Sequence, residues 1–497
     1  MLAKGAQGSG GSVSDERPLR FAILGAGMSG ILCAIKLREA GYDDFVLYEK
    51  ADRLGGTWRE NTYPGIACDV PSHLYRYSFE PNPEWSHRYS PGSEIQAYFE
   101  GVAGKHGITE RIRFGEEVTR CERASGRWRL TTKRGRGDEV DVVLAATGVL
   151  HHPKLPEIAG LEDFAGASFH SARWDHTVPI DGRRLGVIGT GSTAIQLTSA
   201  VVPRVAKYLL FQRTAPWVMP QENPRYSDEE RAAFRRDPAV LHELYDGLSR
   251  TIAALSAGLI DASSPQMQWV EAQCRANLER SVRDPELRER LRPSYRAACK
   301  RLIISPDFYD AIQQPHSELV TDGIERVEPE GIRTRDGRLH ALDVLVLATG
   351  FRVDRFIRPT EVIGRDGQRL DDAWASRPIA YLSVGVPGFP NLFLLNGPNG
   401  PVGNFSLIQV AELQIDYVLQ LVARLREGRC REISPTASAT EHFDAARTEA
   451  AKHSIWSTGC RSWYLDDRGV PATWPWTFDR FREEMSAPKL EAYEQVG

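Results

Sequence analysis

The chain has 497 residues, 41% of them apolar and 26% charged, with a formal net charge of −4. That length gives a soft prior of roughly three domains at about 150 residues each, with room for several buried cores. The balance excludes the basic surface of a nucleic-acid binder, and apolar runs as short as Leu342–Gly350 exclude a bilayer span.

Residues 1–18 hold one Lys and no apolar core, which reads as a disordered arm rather than a signal peptide. From Arg20 an apolar strand leads into Gly25-x-Gly27-x2-Gly30 and a helix with an apolar face, and a second strand ends at Glu49. Strand, glycine turn, helix and acid in this register form a complete dinucleotide fingerprint. The glycines admit a tight turn and close backbone approach, the helix start faces pyrophosphate, and the acid holds ribose hydroxyls.

Gly55-Gly56-Thr57-Trp58 follows, then Tyr63-Pro64-Gly65 and Asp69. These glycines would let backbone lie against a flat cofactor, with Trp58 and Tyr63 as aromatic walls. Asp69 has two readings, a site carboxylate or a turn residue satisfied by backbone N–H groups. Short strands lead to an apolar run ending in Ala146-Thr147-Gly148. Next comes the string Phe164-x-Gly166-x3-His170-x3-Trp174-Asp175, which alone could be an ordinary turn with a buried Trp and a satisfied His.

A second dinucleotide unit opens near Arg184 with Gly189-x-Gly191-Ser192-x-Ala194, and its next strand ends at Arg213-Thr214. A cation where an acid is usual suits a ribose 2′-phosphate and therefore NADPH; the other reading is a solvated surface Arg. Residues 224–295 turn charge-rich with helical apolar spacing, a helical insert that either caps a pocket or serves as a packing or oligomer face. Lys300-Arg301 then precedes a second Ala-Thr-Gly ending at Gly350, and a Gly/Pro/Asn loop from Asn396 to Gly403 opens an amphipathic helix. That loop would aim backbone donors at a cofactor's electron-rich edge. The seven Cys (33, 68, 121, 274, 299, 430 and 460) show no Cys-x2-Cys and no metal spacing, so reduced thiols in a cytoplasmic enzyme and no metal are expected.

The string from Phe164 to Asp175 and the spacing Gly-Gly-x-Trp-x4-Tyr-Pro-Gly-x3-Asp resemble two signatures of the type I Baeyer–Villiger monooxygenases. The resemblance runs from residue 20 to about 485. It implies an α/β fold of two nested Rossmann-like dinucleotide-binding domains, for FAD and NADPH, with a helical insert. The bounds follow as 19–150 and 381–497 for the FAD domain and C-terminal loop, 151–223 and 296–380 for the NADPH domain, and 224–295 for the insert.

The resemblance further implies that NADPH reduces FAD, O2 adds, and a flavin peroxide attacks a ketone to give an ester or lactone. Arg301 is then the charge that stabilises the reacting oxygen, with Asp69 as its partner. Lys300 and Arg213 grip the 2′-phosphate beside Thr214, Asn396 lies near the flavin ring, and Trp463 sits in a mobile loop over NADP+. In the same pattern His170 is a structural relay between domains and Trp174 a packing anchor. The partners are a ketone and O2, with no nucleic acid or membrane; oligomeric state is open, a monomer favoured.

Two other functions stand beside this one. The N- and S-oxygenating flavin monooxygenases share the glycine motifs, but Trp174-Asp175 and the Asp69/Arg301 pair favour ketone oxidation. A catalytically silent flavin-binding sensor or interaction protein is the second. A disulfide reductase is disfavoured because no redox Cys pair follows the first nucleotide motif.

Overall fold

Short strands that are apolar on both faces can only be satisfied inside a parallel sheet covered by helices, and the chain builds two of these. The computed structural model describes residues 18–497; the arm expected over 1–18 falls outside them as far as residue 17. The first sheet has the order Leu392–Leu394, Val142–Ala145, Phe21–Leu24, Phe45–Glu49, Ile112–Phe114. The second has the order Ser317–Val320, Lys207–Phe211, Arg184–Ile188, Val344–Leu347, Ala167–His170. All pairings in both are parallel.

Every strand of the second sheet falls in sequence between two strands of the first, so one unit is nested in the other. This is the expected fold class. The repeated Ala-Thr-Gly runs acquire a shared role. Leu24 pairs with Ala145 and Ile188 with Leu347, so each run leaves its sheet beside the glycine turn of its own unit. A four-stranded sheet carries Val118–Ala124 between Glu361–Ile363 and the antiparallel strands Arg127–Thr132 and Gly137–Val140.

The insert is helical: Asp228–Arg236, Pro238–Ala257, Pro265–Ser281 and Pro285–Arg290. Its starts are written in the sequence, as a Ser227/Glu230 capping box and as proline in the first turn after Asp237, Ser264 and Asp284. Met267, Val270 and Cys274 pack in one cluster with Trp456 and Tyr464 of the C-terminal segment, and Ser256 donates to the Asn404 carbonyl. The insert therefore rests on the loop that follows Asn396. No helix among the described residues is long and apolar enough to cross a membrane.

One expectation is overturned. Cys299 and Cys460 form a disulfide with a Cα–Cα distance of 6.2 Å, while the other five cysteines are buried thiols. The two partners lie 161 residues apart. No local spacing signals such a pair; it exists because the fold lays the C-terminal segment on the residues just before Arg301.

His73 lies fully buried against the rings of Tyr226 and Phe234, with no hydrogen-bond partner for either nitrogen. Burial, with help from the Arg76 charge, pushes its pKa down to about 4. The folded state thus refuses a proton that the unfolded chain accepts below about 6.5. Stability from this residue is intact above the unfolded value and falls as pH drops towards the folded one, by about 2 kcal/mol between pH 7 and 5. The urea midpoint should fall further between pH 7 and pH 5 in the wild type than in His73→Phe; equal pH sensitivity in both would refute the assignment.

Candidate active site

The two glycine turns share one construction. Gly25 (φ +102°) and Gly189 (φ +120°) adopt a backbone that side chains avoid, and a Cβ on either would sit 2.6 Å from the Ala146 carbonyl oxygen or 2.3 Å from that of Ala348. Gly30 packs its helix on the first turn, where a Cβ would lie 2.0 Å from the Gly25 oxygen. Gly27 opposes Gly56 closely, whereas a Cβ on Gly191 would meet nothing within 4 Å, leaving the start of the helix Ser192–Val201 open to a ligand. Thr57 opens the short helix Thr57–Glu60, and the Trp58 indole donates to the Tyr75 hydroxyl at 3.2 Å.

Glu49 is buried and accepts from the Ala26 and Ala51 backbone N–H groups at 2.9 Å each and from Arg59 at 3.1 Å. It fixes the glycine turn, and these bonds occupy three of the roughly four acceptor positions of its carboxylate. Asn396, in left-handed backbone, donates to Ser29 Oγ at 3.2 Å and so ties the Gly/Pro/Asn loop to the helix behind the first turn. Its Oδ1 is buried without a partner, as are Gln414 Nε2 and Ser406 Oγ nearby in sequence.

The centre of the site is an ion pair between the two units. Arg301 donates from Nε at 3.0 Å and from Nη2 at 2.6 Å to Asp69 Oδ2, and from Nη1 to the Gly403 carbonyl at 2.7 Å. Each side chain keeps 31% of its surface exposed. The Asp69 carboxylate holds the guanidinium well above its ordinary pKa against the opposing effect of burial, so the charge is permanent. Sequence placed these residues 232 positions apart; the fold makes them partners. The turn reading of Asp69 gives way.

Lys300 points away from that pair. Its ammonium sits 4.7 Å over the Tyr295 ring, and burial followed by repulsion from Arg213 lowers its pKa. Two cations are thus gathered at the end of the strand Lys207–Phe211, where Thr190 Oγ1 donates to the Thr214 carbonyl at 2.7 Å and ties the second glycine turn to them. Arg213 is solvent-exposed.

The string from Phe164 to Asp175 lies where the units meet. Gly166 is glycine because a Cβ would lie 2.5 Å from the Asp343 oxygen and 2.7 Å from the Phe164 ring. His170 is buried, accepts from the Ala172 N–H at 3.1 Å, and donates from Nε2 to the Gly350 carbonyl at 3.0 Å, joining the string to the second Ala-Thr-Gly run. Burial lowers its pKa. Trp174 packs edge-on to Phe169 at 5.0 Å, and Asp175 accepts from the Thr177 N–H and hydroxyl. On the other side His176 reaches Thr62, and a cavity of about 500 Å³ is walled by Arg173 and Trp174 facing Lys50, Arg59 and Glu60.

Two bridging residues were underread. Tyr63 does not stand as a free wall: its hydroxyl donates to Gln196 of the second unit at 2.8 Å, and burial pushes its pKa up to about 12. Tyr464, beside Trp463 at 4.2 Å between ring centres, is buried with its hydroxyl against Gly403, whose carbonyl accepts from Arg301. Only its place next to a tail Trp could have flagged it.

Residues 19–229 match the family model described as flavin-binding monooxygenase-like. An uncharacterised monooxygenase of Mycobacterium tuberculosis is 48% identical over 475 residues, 95% of each chain. A Baeyer–Villiger monooxygenase of Streptomyces coelicolor is 39% identical over 481 residues, 96% of this chain and 92% of that one. Among solved structures, cyclohexanone monooxygenase from Rhodococcus sp. Phi1 bound to NADP+ superposes with a TM-score of 0.86 at 27% identity, covering 96% of this chain and 99% of the other. An oxidised steroid monooxygenase bound to NADP gives a TM-score of 0.85 at 28% identity, with the same coverage. With this fold, and with such identity along nearly its whole length, the chain belongs to the Baeyer–Villiger monooxygenases, flavin-binding oxidoreductases of type I.

Proposed function

We propose that the protein is an FAD- and NADPH-dependent monooxygenase that converts a ketone, O2, NADPH and a proton into an ester or lactone, NADP+ and water. The observation that carries this reading is the Arg301–Asp69 pair, a permanent cation spanning two nucleotide-binding units. Bound FAD would supply the ring that activates O2, and bound NADPH the hydride.

The residues fit both groups. The first glycine turn and the N-terminus of the helix Met28–Glu39 offer backbone donors to a pyrophosphate, with Glu49 at the ribose. The unpartnered Asn396 Oδ1 and the loop behind it offer polar contacts for a flavin ring. Gly189, Gly191 and Ser192 form the equivalent cradle in the second unit, where Lys300, Arg213 and Thr214 suit a 2′-phosphate. Trp463 lies on the segment that would cover the nicotinamide cofactor.

Arg301 has the central task. Oxygen transfer to a carbonyl passes through negatively charged oxygen, and a fixed donor in a water-poor site stabilises that charge without reorganising. Arginine suits this because it does not deprotonate. Asp69 engages one edge of the guanidinium and Gly403 another, so the remaining N–H groups are oriented before substrate arrives.

In Arg301→Ala, oxygenated product should fall by roughly 100-fold or more, the cost of removing a preorganised donor, while NADPH still bleaches the flavin. Mass analysis of a ketone panel for the gain of one oxygen reads this; normal ester yield from the variant refutes the role. In Arg213→Ala, KM for NADPH should rise about tenfold, the loss of one charge-assisted contact, with KM for NADH little changed. An equal rise for both coenzymes would exclude a phosphate contact.

A further inference from the structure

We propose that Tyr464 is a positioning residue for Arg301, held in reach of the guanidinium by the Cys299–Cys460 crosslink. The inference rests on the role given to Arg301 above. A guanidinium has five N–H donors; Nε and Nη2 are directed at Asp69 and Nη1 at the Gly403 carbonyl. The Tyr464 hydroxyl lies beside this group, close enough for the phenol dipole and the guanidinium charge to interact. It presses on the Gly403 backbone, where a Cβ would lie 2.2 Å from the hydroxyl oxygen, so it fixes the carbonyl that accepts from Arg301. A glycine at 403, with φ +91°, is what allows that approach.

The ring is immobilised among Trp456, Trp463, Ala297 and Cys299 in one apolar cluster, and the Tyr464 carbonyl accepts from Ala472 at 2.7 Å. Its segment is then joined covalently to the other side of the site. Cys460 lies four residues before Tyr464 and Cys299 two before Arg301, so the disulfide closes a short ring completed by the phenol against Gly403 and the Gly403 carbonyl on the guanidinium. Cys460 is nearly buried but follows the exposed run Ser457–Gly459, through which a small thiol can reach it. A dithiol such as dithiothreitol would pass two electrons and two protons to the disulfide, leaving two thiols here and a cyclic disulfide on the reagent. The strap would then be held by noncovalent contacts alone.

The test uses the FAD-loaded full chain. Tyr464→Phe keeps the ring and removes the hydroxyl. We expect it to retain flavin and leave KM for ketone and NADPH within about twofold, while kcat for oxygenated product falls about tenfold, as for loss of one polar contact beside a charge. The visible absorption change of the oxidised flavin on adding NADP+ should differ from that of the wild type. Thiol titration of denatured wild type should give five thiols without reductant and seven after it. Cys460→Ser, and wild type treated with dithiothreitol, should show the same direction of kcat loss. Turnover and difference spectrum of Tyr464→Phe equal to wild type would overturn the positioning role, and seven thiols in the unreduced protein would overturn the tether. If Arg301→Ala loses product while Tyr464→Phe does not, this inference alone fails; if Arg301→Ala keeps product, the assignment beneath it fails.

Discussion

A single guanidinium sets the terms for the rest of this molecule. Arg301 carries a charge that cannot be discharged by proton loss, so the protein must neutralise it enough to keep it folded and, for the role proposed here, leave some of its N–H groups free. The solution is an uneven distribution of acceptors. Asp69 comes from the first unit and the Gly403 carbonyl from the loop after Asn396, with the phenol of Tyr464, from the C-terminal segment, packed against that glycine. No one of these segments neighbours another in sequence. Their convergence requires both sheets, the insert that rests on the loop, and the tail that packs on the insert.

The interface between the units is stitched in the same way, by polar groups whose partners lie in the other unit. Tyr63 meets Gln196, whose amide also donates to the Ala67 carbonyl two residues from Asp69. His170 stays within the second unit, bonding the run that follows the neighbouring strand, while Arg173 reaches Glu60 of the first unit at 3.8 Å and walls a cavity with Trp174 and Lys50. Buried hydrogen bonds of this kind favour one relative placement, because losing them leaves desolvated groups unpaired. The signature string is therefore best understood as architecture. It holds still the boundary across which Asp69 and Arg301 must meet.

Much of the fold was legible because its signals are local. A glycine turn after an apolar strand, an acid at the end of the next strand and the helical apolar spacing of residues 224–295 all act over a few residues. Asp69, Lys300 and Arg301 could be named only through a family resemblance, since nothing within a few residues tells a site carboxylate from a turn carboxylate. The disulfide was misread for the same reason. Its partners are meaningful only after the tail has been laid on the Arg301 segment. Glu49 shows a subtler limit: pattern assigned it to a ribose, and the structure adds that it first holds its own loop.

The carbonyls of Ala146 and Ala348 are the floor on which the two glycine turns rest. Each turn is wedged between its own helix and a neighbouring strand, so its shape does not wait for a phosphate to impose it. For the dinucleotides proposed to bind at these cradles, the entropy of shaping the turns has been spent during folding rather than drawn from the binding step. Affinity at both ends of the electron path is in this sense inherited from the sheets.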